Sequence, residues 1–224
     1  GAMRVRGFDM DVFDMDYAAI ASHPGGSRIS VCHSTAPIVV GIHRPQVESG
    51  RSLILQGHVD VVPPGPVDMW ATPPFDPVIR DGWFYGRGAG DMKAGTVSLM
   101  FALDALARIG LQPAATVYLE SVVEEEATGN GALMTHLRGY RAEAALIAEP
   151  GHETLTRANL GVLWFQFEVR GQPVHVENMG EGANAIDAAW RVIGALRDLE
   201  ARWNEAAAFD PQFASVKHPL NLNI

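Results

Sequence analysis

Through Ala148, short apolar runs alternate with stretches whose apolar residues recur at helical spacing. Runs around Ile29–Val31 and Ile38–Ile42 read as strands, the first preceded by the turn signal Pro24-Gly25-Gly26. Ser52–Gln56 (Ser-Leu-Ile-Leu-Gln) is a compact strand running into Gly57-His58. From Met92 to Ile109, the residues Val97, Met100, Phe101, Leu103 and Leu106 keep a helical period, and Gly110 is a natural stop. Ala114–Val123 reads as a strand, Ala127–Leu137 as a short helix and Glu143–Ala148 as another buried strand. This alternation predicts an α/β fold, a mostly parallel sheet flanked by helices on both faces. In such sheets ligands sit beyond the carboxyl ends of the strands. Residues 4–28 carry no pattern with a functional reading.

Two segments depart from this rhythm. Val61 to about Arg87 is a loop rich in Pro and Gly, long for a compact domain, and long ordered loops tend to carry function. Beyond Arg157–Gly161 the pattern changes character. Val162–Arg170 is rich in strong β formers and reads as a strand ended by Gly171-Gln172-Pro173, and a long amphipathic helix follows over about Asn184–Glu200. The expected organisation is a metal-binding catalytic domain over residues 4–158 and the start of a smaller α+β domain over 159–224.

Composition narrows the function. The 224 residues are 47% apolar and 19% charged, a globular balance, and the formal net charge is −9. With no run of Lys or Arg, the chain lacks the cationic footprint that nucleic acid or an anionic membrane requires. Neither a long apolar segment nor a signal peptide is visible, which points to a cytoplasmic protein. The single cysteine, Cys32, excludes an intrachain disulfide and reads as a small buried hydrophobe. The opening Gly1-Ala2-Met3 reads as a cloning remnant.

Four elements carry candidate chemistry. His58 and Asp60, in Gly-His-Val-Asp at a strand end, face the same way if the chain is extended, so the carboxylate can orient the imidazole for a metal. Alone, a solvent-facing His beside an Asp is the ordinary reading of such a pair. Gly86–Gly95 holds four glycines in ten residues, in neither P-loop nor dinucleotide spacing, and Asp91 within it reads as a helix N-cap. Glu124-Glu125-Glu126 ends an apolar strand, where three adjacent carboxylates repel one another unless a cation or proton intervenes. A plain acidic helix start is the alternative. Glu149-Pro150 follows the Ala144–Ala148 run. Together, one imidazole and several carboxylates at strand carboxyl ends form a donor set that suits Zn, Co or Mn in a two-metal hydrolase.

The ordered motifs Gly57-His58-Val59-Asp60, Gly90-Asp91-Met92-Lys93, Glu124-Glu125-Glu126 and Glu149-Pro150 resemble the M20 metallopeptidase family, as does the connecting stretch Trp70–Arg87. That group includes acetylornithine deacetylase, succinyl-diaminopimelate desuccinylase, aminoacylases and glutamate carboxypeptidase. The resemblance implies that His58 binds one metal, with Asp60 supporting it from behind. It implies that Asp91 bridges two metals, next to a peptide bond that can be cis in relatives. Glu125 corresponds to the general base acting on the metal-bridging water, Glu126 to a ligand of the second metal and Glu149 to a ligand of the first. The last two acids of the triple Glu are matched to the family's pair because Gly131 then falls on the family's glycine. Glu rather than Asp at position 149 goes with deacylases and carboxypeptidases.

Gly171–His175 with Gly182–Ile186 resembles the start of the family's dimerisation domain, in which the residue matching His175 reaches a partner's site to stabilise the oxyanion. The expected protein is therefore a homodimer carrying two divalent ions, zinc foremost, that hydrolyses an N-acyl amino acid or a C-terminal peptide-like amide. The family's second metal also takes a His from near the end of its longer chains, beyond Ile224 here, and His218 reads as a surface residue rather than a substitute. This chain alone is therefore expected to hold one complete site (His58, Asp91, Glu149) and to turn over little. The competing readings are a small-peptide aminopeptidase and a non-catalytic dimer-forming relative.

Overall fold

The computed structural model describes residues 1–28, 35–151, 155–163, 165–207, 211–213 and 220–223. The expected strand at Ile29–Val31, Cys32 and His218 lie outside them. The chain divides into two compact units, Gly1–His152 and Glu153–Ile224, a division slightly ahead of the boundary expected near residue 158.

The first unit is built on five strands: β1 (Asp9–Phe13), β2 (Ile38–His43), β3 (Leu53–His58), β6 (Val117–Val122) and β7 (Ala144–Ile147), in the spatial order β1-β2-β6-β3-β7. β3 pairs in parallel with β6 and β7, whereas β2 is antiparallel to both β1 and β6. The sheet is thus mixed, with β2 alone running against the other four.

Helices cover both faces. Leu99, Met100 and Leu103 of α2 (Gly95–Arg108) pack on Leu55, Val117 and Leu119. On the opposite face Ile20 of α1 (Tyr17–Ser22) and Met134 of α3 (Asn130–Leu137) pack on Ile38, Val40, Ile42 and Val122. Asp16 starts α1 by accepting the N–H groups of Ala18 and Ala19. Met3 is buried among Phe8, Leu55 and Leu99, so the opening residues contribute to this core rather than standing outside it.

Several expectations change. The loop from Val61 to Arg87 contains a helical turn at Val67–Met69 and a hairpin of β4 (Val78–Arg80) and β5 (Trp83–Tyr85). Its two-residue connection, Asp81-Gly82, has positive φ at both positions (53° and 79°), the twist that matches paired strands. β7 is exposed along its whole length, because it is the sheet edge and no further strand pairs with it among the described residues. In the second unit, the described residues of Val162–Arg170 form no strand. A strand needs a ladder, and the only pairing described nearby is the single bridge Gln172–Ala183. The helix expected after it runs as α4 (Ala185–Ala207), opened by the Asn184 side chain accepting the N–H of Ile186 at 2.9 Å. Among the described residues no helix is long and apolar enough to cross a membrane.

Two glycines bring helices against the strand ends that carry the acids. A Cβ on Gly131 would lie 1.8 Å from the Val123 carbonyl oxygen, and one on Gly95 would lie 1.9 Å from that of Ala148. Both contacts are with backbone, which cannot swing away. Gly131→Ala and Gly95→Ala are each expected to destabilise the fold by at least about 1–3 kcal/mol, the usual cost of overpacking. Urea denaturation measures this, and a midpoint unchanged in both variants refutes the close packing.

Candidate metal centre

Parallel pairing makes the carboxyl ends of β6, β3 and β7 emerge side by side, with β3 in the middle. His58 is the last residue of β3, Glu124–Glu126 follow β6 and Glu149 follows β7. The fourth contributor arrives from the helical side. Asp91 lies in a distorted turn at Ala89–Ala94 ahead of α2, with extended backbone (φ −109°, ψ 104°) and a cis peptide to Met92. The ordinary N-cap reading of Asp91 does not apply: α2 begins at Gly95 after Ala94, and the Asp91 carboxylate turns to the imidazole, beside which the motifs placed it.

His58 is 1% exposed, and its ring is held at both nitrogens. Nδ1 lies 3.0 Å from the backbone carbonyl oxygen of Asp60. A carbonyl only accepts, so Nδ1 carries the proton and donates. The lone pair of Nε2 then points at carboxylate oxygens of Asp91 (3.1 Å), Glu149 (3.5 Å) and Glu125 (3.7 Å). Acceptor facing acceptor is repulsive, and only a proton or a metal cation between them turns it into attraction.

Asp60 lies beside the imidazole and makes further contacts of its own. Its carboxylate is 3.4 Å from Nδ1, farther than its own carbonyl, and it accepts the backbone N–H groups of Glu126 (3.1 Å) and Glu125 (3.4 Å). It therefore ties the end of β3 to the turn after β6. That turn also separates the three glutamates. Glu124 takes a left-handed conformation (φ 66°) and is buried, its carboxylate accepting the Thr128 hydroxyl, whereas Glu125 and Glu126 remain with His58.

Burial, with the neighbouring carboxylates adding to it, shifts the acids. Burial first, then the neighbouring Glu126, Asp60 and Asp91, pushes the Glu125 carboxyl above its usual range, with His58 opposing. Burial likewise raises Glu149, again against His58, with Glu125 and Asp91 adding to the rise. For His58 burial acts downward, yet Asp91, Asp60 and Glu149 outweigh it and the imidazole sits above its ordinary value.

The donor set fits metal. His58, Glu125 and Glu149 offer ligand atoms within 4.8 Å of one another, and so do His58, Asp91 and Glu126. Ligand atoms each about 2.0–2.2 Å from an ion can fall inside that span. Both trios share His58, and they divide the carboxylates differently from the His58, Asp91 and Glu149 set expected for one site. His175 belongs to the second unit, where it is exposed and its Nδ1 accepts the N–H of Glu177 at 3.3 Å.

Residues 54–215 match the model of peptidase family M20/M25/M40. The chain belongs to this family. Among its relatives, an N-formyl-4-amino-5-aminomethyl-2-methylpyrimidine deformylase from Halalkalibacterium halodurans is 33% identical over 70% of this chain and 39% of its own length. A succinyl-diaminopimelate desuccinylase from Acidovorax ebreus is also 33% identical, over 72% of this chain and 43% of its own. This M20 chain thus spans about two fifths of the length of these curated relatives. A tripeptidase structure from Staphylococcus aureus shares the fold, with a TM-score of 0.51 at 19% identity, covering 86% of this chain and 48% of that one.

The raised carboxyls give a stability prediction. A Glu whose folded pKa exceeds its unfolded value of about 4.3 stabilises the fold only when protonated, and it opposes folding as pH rises through the folded value. Glu125→Gln is therefore expected to raise the thermal midpoint of the metal-free protein at neutral pH and to leave it unchanged below about pH 4. A fall at neutral pH, measured after chelator treatment, contradicts the crowding.

Proposed function

We propose that this protein is a metal-dependent amidohydrolase that cleaves the amide of an N-acyl amino acid or a C-terminal peptide-like substrate. The observation that carries the reading is the convergence of Asp91, Glu125 and Glu149 on Nε2 of a buried, backbone-anchored His58.

His58, Asp91 and Glu149 would hold one divalent ion, and Asp91 with Glu126 would hold a second. Zinc is the best match to one imidazole with several carboxylates, cobalt and manganese the alternatives. When bound, such ions polarise the amide carbonyl and acidify water. Glu125 is the general base: half of its side chain is open to solvent, and its raised pKa brings it nearer the value needed to take a proton from water and give it to the leaving amine. Asp60 keeps the Glu125–Glu126 backbone and the His58 ring in mutual register.

Two relatives carry the names of acyl-removing enzymes, a deformylase and a desuccinylase, and this favours deacylation over aminopeptidase action. The second unit, from Glu153 on, fits the start of a lid and dimerisation domain in which His175 serves a partner's site as oxyanion donor.

The purified gene product, loaded with zinc or cobalt, is expected to release amine from N-formyl, N-acetyl or N-succinyl amino acids and to leave free dipeptides intact. Glu125→Gln should keep its metal while kcat falls by about 10²–10⁴-fold. Faster cleavage of free dipeptides would move the assignment to an aminopeptidase, and absence of bound metal in elemental analysis would remove the hydrolase reading altogether.

A further inference from the structure

Lys93 is one of two lysines in a chain that otherwise draws its positive charge from arginine. It lies two residues past Asp91, beside a concentration of carboxylates, yet among the described residues it forms no ion pair. Its Nζ donates instead to the backbone carbonyl of Val59 at 2.9 Å. Val59 is the residue between His58 and Asp60, and its own N–H donates to the Val122 carbonyl at 3.0 Å. One ammonium thus joins the Asp91 turn to the end of β3, through a residue whose N–H is already tied to β6.

The surroundings are shaped for this side chain. Gly88 has positive φ (74°), and a Cβ there would come 2.6 Å from Lys93 Nζ and 2.5 Å from Val61 Cγ1. The Lys93 N–H donates to the Gly88 carbonyl at 3.1 Å, closing the turn around the stem. A slender stem with a compact ammonium fits this corner, and a planar guanidinium is a broader group.

We propose that Lys93 is a positioning residue for the metal centre, setting the distance between Asp91 and His58 by clamping the Val59 carbonyl. The proposal rests on the metal-site reading above. Asp91 and His58 come from different elements, a turn before α2 and the end of β3. Lys93→Val59 is a second side-chain bond between those two segments, beside the His58–Asp91 contact itself. Losing the clamp lets the two ligands drift apart. Groups that orient metal ligands from behind typically cost about 10–100-fold in metal affinity when removed.

The test compares the wild-type protein with Lys93→Met and with Lys93→Cys, the latter before and after alkylation by 2-bromoethylamine, which restores an ammonium on a stem of nearly lysine length. Zinc affinity is measured by competition with a chelating dye, and the visible spectrum of the cobalt form reports ligand geometry. Circular dichroism confirms that each protein is folded. Lys93→Met and unalkylated Lys93→Cys are expected to bind zinc at least about 10-fold more weakly and to show an altered cobalt spectrum. Alkylated Lys93→Cys should return to within a few-fold of wild type, which treatment of the wild-type protein controls for reaction at Cys32. Wild-type affinity and spectrum in folded Lys93→Met would overturn the positioning role while leaving the metal site standing. Failure of the wild-type protein to bind zinc or cobalt would instead overturn the metal-site reading, and this proposal with it.

Discussion

The parallel ladders that join β3 to β6 on one side and to β7 on the other fix where everything else can go. In an antiparallel pair, consecutive strand ends point in opposite directions, and acids placed after each would be kept apart by the length of the sheet. Here three carboxyl ends leave the same edge as neighbours, separated by about the 4.8 Å spacing between strands. His58, Glu125, Glu126 and Glu149 are thus assembled by backbone hydrogen bonds before any side chain chooses a rotamer. The helices then close in. Gly95 and Gly131 remove the side chain where α2 and α3 meet the Ala148 and Val123 carbonyls, so the same strand ends are held from both faces.

That rigidity has an electrostatic cost. Acids from two strand ends, and Asp91 from a turn, share a few ångströms with Nε2 of the buried His58 imidazole. In water such groups would move apart, but here folding holds them, and burial together with the neighbouring carboxylates pushes Glu125 and Glu149 up toward the protonated form. A multivalent cation relieves all of these repulsions at once. A scaffold that holds acids together against their mutual repulsion is organised for an ion, because the work of gathering the ligands is done by folding rather than by binding.

The sequence was most readable where local pattern and tertiary role agree. Leu53–Leu55 is apolar because β3 is paired on both sides, and the acids after β6 and β7 stand out because they follow apolar runs. Reading failed where the deciding partner is distant. Val162–Arg170 has the composition of a strand, but a ladder is made by two segments and no partner is described for it. β7 is apolar on both faces like a buried strand, yet it lies exposed at an edge. Around Asp91 the local pattern offers only an N-cap, whereas the ordered motifs implied a site carboxylate beside a peptide bond that can be cis; the Asp91–Met92 peptide is cis and the carboxylate turns to His58. The Asp81-Gly82 hairpin lies inside a segment whose Pro and Gly content reads as one loop, and its strands of three residues each are too short to show a period of their own.

The three consecutive glutamates show how a local ambiguity is settled by a single dihedral. Sequence alone leaves open which two of them face the metal site. Left-handed backbone at Glu124, rare for a residue with a Cβ, turns its side chain under Thr128 and sends the chain back toward β3. The next two N–H groups then meet the Asp60 carboxylate, which also lies against the His58 ring. Asp60 therefore does more than orient one imidazole. It transmits the position of β3 to the backbone of Glu125 and Glu126, so that an acid suited to proton transfer and an acid suited to metal binding are placed by the same carboxylate. Replacing Asp60 disturbs both together, which is why its contribution cannot be assigned to either glutamate alone.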